Sequence, residues 1–184
     1  LLRTVVLVEG ESDRVALETL AARRGRCLPA EGVAVVAMGG ITNTRAFASR
    51  YGPRGAGMRL VGLYDVGEED ALRRGLAAAG LDPGPTADSL RALGFFGCSA
   101  DLEDELVRAA GPDTVEAVIE RVGESRSLRL LAQMPAQRGW TREAVLRRFL
   151  GCRSGRKARY AALLVEAMDL DRVPASLAAV LDAA

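Results

Sequence analysis

At 184 residues, 49% of them hydrophobic, the chain can bury one ordinary domain core, and disorder is not the default. The absence of histidine excludes Ser–His–Asp triads, Cys–His pairs and His-based zinc sites, and three separated cysteines (Cys27, Cys98, Cys152) form no CxxC. The net charge of +1 is unevenly spread: Glu124–Tyr160 carries ten basic against two acidic residues, and the rest carries 15 against 22, so a basic segment follows an acidic body.

Thr4–Val8 (TVVLV) is a short, continuous apolar run and predicts a strand buried on both faces. Glu9–Ser12 reads as a loop. Ser12 or Asp13 caps a helix running to about Arg24, with Gly25 as its stop. Val33–Met38 predicts a second strand and Gly39–Gly40 a turn, and Thr42 or Asn43 caps a helix over Arg45–Tyr51. Arg59–Tyr64 predicts a third strand ending at Asp65, followed by a helix over Glu68–Ala79 and a Pro/Gly loop over Leu81–Pro85. Gly94–Cys98 predicts the fourth strand. Six helical stretches follow: Asp101–Ala110, Asp113–Val122, Ser125–Met134, Arg142–Leu150, Ser154–Met168 and Ala175–Leu181.

The alternation predicts an α/β fold: a Rossmann-like, mostly parallel four-stranded sheet flanked by helices, with a C-terminal helical appendage. Residues 1–110 form the catalytic part of this reading, and residues 111–184 a basic helical part packed on it, facing nucleic acid.

Two strand ends carry the chemistry. The first runs into Glu9-Gly10-Glu11-Ser12-Asp13 and the third into Asp65-Val66-Gly67-Glu68-Glu69. Ligands of open α/β sheets bind at the carboxyl edge, where both sequences fall. If strands one and three are neighbours, Glu9, Asp13, Asp65 and Glu69 gather there; Asp65 and Glu69 share a side in either an extended or a helical segment. Clustered carboxylates repel one another unless a cation neutralises them. An oxygen-only donor set suits Mg²⁺ or Mn²⁺, one or two ions, which is the usual equipment of phosphoryl transfer. Taken singly, Asp13 is also a plain helix cap and Glu68–Asp70 a plain helix start.

Only one lysine, Lys157, occurs beside 24 arginines, and it lies in Arg153-Ser154-Gly155-Arg156-Lys157. It precedes Ala158, so the chain contains no Walker-type phosphate loop. Its compact ammonium suits charge developing on a phosphate, and the basic segment around it suits a polyanion. Ser99, Asp101 and Glu103 either extend the acidic cluster or merely cap the helix they begin. Tyr51, Tyr64 and Trp140 read as core or interface residues, with base stacking as the alternative.

The runs VLVEGESD and LVGLYDVGEE resemble a TOPRIM domain, the metal-binding fold of topoisomerases and primases. The fuller resemblance is to the TOPRIM part of the OLD (overcoming lysogenization defect) nucleases. It includes the Glu–Gly-x-Ser/Thr-acid form of the first motif, the acidic Asp101-Leu102-Glu103 step after strand four, and a basic C-terminal helix with a lysine. It covers most of the chain and is specific over residues 5–13 and 61–69. The chain departs from it at Gly67, where the second motif calls for Asp; Glu69 or Glu68 is the candidate replacement, and the alternative is that one metal binds weakly or not at all. OLD nucleases usually carry an ATPase ahead of this domain, so the chain reads as a stand-alone or excised module, with a separate ATPase or helicase as a candidate partner.

These readings predict a Mg²⁺/Mn²⁺-dependent endonuclease acting on DNA. Glu9, Asp13, Asp65, Glu69, Asp101 and Glu103 hold metal, with Glu9 also a candidate general base and Lys157 catalytic. Arg147, Arg148, Arg153 and Arg156 grip the DNA backbone. The alternatives are a non-catalytic nucleic-acid- or protein-binding module, and a nucleotidyl transferase using the same metals. No apolar run reaches membrane-spanning length and no signal peptide is recognised, so a cytoplasmic protein is expected.

Overall fold

The computed structural model describes residues 1–152 and 155–184. Four strands, β1 (Thr4–Val8), β2 (Val33–Ala37), β3 (Arg59–Asp65) and β4 (Phe95–Cys98), form one sheet in the order β2-β1-β3-β4, with every pairing parallel. The two strands that end in the acidic motifs are thus neighbours, Thr4 lying opposite Arg59 and Leu7 opposite Gly62.

Alternation along β1 explains its continuous apolar sequence. Val6 and Val8 face one core layer and Val5 and Leu7 the other, and all four are at most 1% exposed. The second layer is closed by α2 (Thr44–Tyr51), α3 (Glu69–Ala78) and α4 (Ala87–Leu93), through Ala48, Leu72, Leu76 and Leu90. The first layer is closed by α1 (Glu11–Arg23) and by the C-terminal helices α5 (Leu102–Ala110), α6 (Pro112–Arg121), α8 (Arg142–Gly151), α9 (Arg156–Ala167) and α10 (Ala175–Ala183), while α7 (Ser125–Ala132) packs only part-buried leucines against it. Its buried cluster runs unbroken from Val6 to Leu181. The tightest helix pair is α1 with α9, which carries the first residues of α9 to the edge where β1 ends.

Several boundaries differ from the sequence reading for local reasons. Helix α1 starts at Glu11 with Gly10 as its N-cap, because the Asp13 carboxylate accepts the Gly10 backbone N–H at 2.8 Å. Helix α4 was not expected after the Pro/Gly loop. It is short, and it is held by Thr86, whose hydroxyl accepts the Ser89 N–H at 3.1 Å, and stopped by Gly94 at φ +101°. A 3₁₀ turn, Val66–Glu68, separates β3 from α3.

Candidate metal centre

Glu9 and Gly10 from the β1–α1 turn, Ser12 and Asp13 from α1, Asp65 from the end of β3, Asp101 and Glu103 from the start of α5, and Lys157 from α9 line one cavity of about 460 Å³ at the carboxyl edge of the sheet. Four separate segments of the chain meet there. Asp101 caps α5 by accepting the Asp104 N–H at 2.7 Å, so its carboxylate serves the helix and the cavity together. Glu103 is 7% exposed, and its Oε2 lies 3.3 Å from Lys157 Nζ. Lys157 thus stands across the cavity from the strand ends, tethered to a buried acid.

Glu69 points elsewhere. Arg73 donates to it at 2.6 and 2.9 Å and the Tyr64 hydroxyl at 3.2 Å, and it does not line the cavity. Glu68 lies beside Glu9 instead, and its Oε2 is buried without a hydrogen-bond partner. The 3₁₀ turn is the reason: at three residues per turn, positions 65 and 68 lie on one line, whereas 65 and 69 do so in an α-helix.

Arg147 and Arg148 line an adjoining groove, where Arg147 also pairs with Asp104 at 3.2 Å. Arg156 is turned inward. It is 7% exposed, pairs with Glu124 at 3.2 Å and stacks 4.1 Å from the centre of the Phe149 ring. Arg153 lies outside the described residues.

The cavity holds its acids under strain of charge. Burial, and then the neighbouring Glu68, Asp65 and Asp13 carboxyls, push Glu9 up to about 7. Burial, with Asp13, Asp101, Glu68 and Glu103 around it, pushes Asp65 up to about 7. Asp13 rises to about 6, chiefly through burial; the Gly10 N–H and Lys157 pull it down and Glu103 pushes it up. Such a set is relieved by a cation that supplies positive charge inside the cavity. The donors are all oxygen, and Glu68 offers an oxygen that no protein group satisfies. That chemistry fits a hard divalent ion. Among the described residues no three acidic side chains stand in an ion-holding arrangement. A side chain at Gly67, where the sequence departs from its resemblance, would meet nothing within 4 Å.

A parallel sheet with acidic groups at the ends of adjacent strands is the arrangement that the TOPRIM resemblance implies. Residues 1–65 match the family model of the overcoming lysogenization defect protein-like TOPRIM domain. The C-terminal region of the Xanthomonas campestris pv. campestris OLD protein is 27% identical, with a TM-score of 0.71 over 99% of this chain and 94% of that one. The C-terminal region of the Burkholderia pseudomallei OLD protein has the same fold, with 23% identity, a TM-score of 0.71 and coverage of 99% and 96%. No curated protein matches the sequence. The domain is consistent with a metal-binding, nuclease-type module. Among the described residues no helix is long and apolar enough to cross a membrane.

Proposed function

We propose that the chain is a Mg²⁺- or Mn²⁺-dependent phosphodiester hydrolase, an endonuclease acting on DNA. The observation that carries this reading is the cavity itself, where acids from two adjacent strand ends face the single lysine of the chain. Glu9, Asp13, Asp65 and Glu68 would hold the ion, with Asp101 and Glu103 behind them. A bound divalent ion lowers the pKa of a coordinated water and neutralises charge on the scissile phosphate.

The chain's own residues supply the rest. Glu9, at the end of β1 and lining the cavity, is placed to accept a proton from an attacking water. Lys157, held over the cavity by Glu103, places an ammonium against charge that builds on the phosphate oxygens. Arg147 and Arg148 in the neighbouring groove bind backbone phosphates with little sequence preference.

Incubating supercoiled plasmid with the wild type and Glu9→Ala, in Mg²⁺, Mn²⁺, Ca²⁺ or EDTA, tests the reading. Nicking that requires Mg²⁺ or Mn²⁺ and is lost in the variant is expected; wild-type protein that binds DNA but fails to cut it under every one of these metals would sink the hydrolase. Gly67 and the unassembled acids favour one second reading, a non-catalytic nucleic-acid-binding module, and that same result would support it.

A further inference from the structure

Beside the acidic cavity runs a second groove of about 560 Å³, which shares Asp101, Glu103 and Lys157 with it. Its far side carries Arg147, Arg148 and Trp140. Trp140 is the only tryptophan of a chain with 4% aromatics, yet it is 45% exposed. Four of the other seven aromatic side chains meet a ring or a guanidinium, Phe47 packing by Tyr51, which also lies under Arg50, and Phe149 meeting Tyr160 edge-on, while Tyr64 and Phe95 are buried in the core. Among the described residues no ring and no guanidinium covers Trp140.

The backbone around this residue is tied down on both sides. The Trp140 N–H donates to Gln137 O at 3.1 Å, closing the turn that follows a 3₁₀ helix over Pro135–Gln137, whose Gln137 is buried. The next residue, Thr141, caps α8 by accepting the Ala144 N–H at 3.2 Å. An exposed aromatic face therefore shares one groove with two guanidinium groups and Lys157, just before the N-terminal end of α8.

We infer that this groove is a binding site for an unpaired DNA strand, in which Trp140 stacks on one exposed base while Arg147, Arg148 and Lys157 contact the flanking phosphates. An aromatic platform flanked by cations recognises a base face and the backbone on either side of it. Base faces are accessible only where the strand is unpaired, as in a gap, flap or frayed end, whereas a closed duplex offers this groove phosphates alone. The shared residues lead the strand directly from the indole into the acidic cavity. The inference rests on the phosphodiesterase reading for the chemistry, but not for the binding.

The lone tryptophan makes the test direct. Labelled oligo(dT) and a closed hairpin duplex are titrated with the protein in Ca²⁺, while label anisotropy and tryptophan emission are followed. Oligo(dT) is expected to quench Trp140. Trp140→Ala is expected to weaken oligo(dT) binding about 5- to 150-fold, the effect of one base–aromatic stack, and to change hairpin binding by less than about twofold. Trp140→Phe is expected to retain most of the affinity, which separates stacking from a folding defect. Oligo(dT) that binds without altering the emission overturns the inference and leaves the hydrolase reading intact. Equal weakening of both ligands by Trp140→Ala also overturns it. Quenching by oligo(dT) without cleavage in Mn²⁺ supports the groove and defeats the hydrolase. A protein that binds neither ligand defeats both.

Discussion

Replacing Asp13 by Asn asks whether the acids of the cavity are held against their preference. Asn keeps an oxygen to accept the Gly10 N–H, so the start of α1 is preserved while one charge is removed. Asp13 is raised from its ordinary 3.8 to about 6, chiefly by burial. A carboxylate raised in the folded state opposes folding when ionised; the penalty is full above the folded pKa and fades as pH falls toward the unfolded one. A shift of this size corresponds to at most about 3 kcal/mol at pH 8, and about 1–2 kcal/mol should survive screening by cavity water. Asp13→Asn is therefore expected to stabilise the metal-free protein at pH 8 by that amount, or about 3–6 °C in Tm for a chain of this length. At pH 4.5 the gain should shrink to about a third of its pH 8 value, because Asp13 is then largely neutral in the folded protein. Urea and thermal unfolding in EDTA at both pH values measure this directly. Mn²⁺ should invert the order, since the wild type gains stability by binding the ion and the variant gains less. A variant less stable than wild type at pH 8 in EDTA, or a difference independent of pH, would refute the argument that burial and charge crowding strain this site.

Glu9→Gln is expected to lower Mn²⁺-dependent cleavage by about 10²-fold or more while DNA affinity measured in Ca²⁺ holds, the signature of a lost proton acceptor and metal ligand. Gly67→Asp adds a carboxylate at a position where a Cβ meets nothing, and should tighten Mn²⁺ binding by about tenfold, read by calorimetry; unchanged affinity would show that Glu68 already fills that role. Arg156→Ala removes a buried partner of Glu124 and should cost about 3 kcal/mol in urea unfolding, with little change in DNA affinity for the protein that remains folded. Arg148→Ala should do the reverse, sparing stability, weakening DNA binding and reducing the slope of log K against log salt by about 0.7–0.9.

Much of this arrangement was legible in the sequence. A five-residue apolar run such as Thr4–Val8 has few alternatives to a strand covered on both sides, and the gathering of the two acidic motifs was conditional on their strands being neighbours. The register of β1 with β3 meets that condition, which the sequence alone left open. What escaped the reading depends on geometry below the scale of an element. Choosing between Glu68 and Glu69 requires knowing that Val66–Glu68 is a 3₁₀ turn, and neither extended nor α-helical spacing selects Glu68. Helix α4 rests on a Thr86–Ser89 cap, a weaker signal than the Pro/Gly loop before it. Arg156 is one letter in a basic run, and nothing in that run marks it as the residue that pairs with Glu124, 32 positions earlier.

The same pairing logic changes what the basic segment offers a polyanion. Counted along the chain it is an excess of cations, but folding commits several of them. Arg142 pairs with Asp113 and Glu116, while Arg156 and Arg159 share Glu124. Arg147 is only half committed, to Asp104, and among the described residues Arg148 makes no ion pair. The cations that line the groove beside the acidic cavity are Arg147, Arg148 and Lys157, the last paired with Glu103. In the proposed function these are the cations that would hold a strand at the mouth of the cavity. A phosphate held there stands beside the acids of β1 and β3, and a base next to it stands beside Trp140. Affinity and chemistry then share one short stretch of strand, which is why weakening the grip of Arg148 should lower cleavage and binding together, whereas removing Glu9 should separate them.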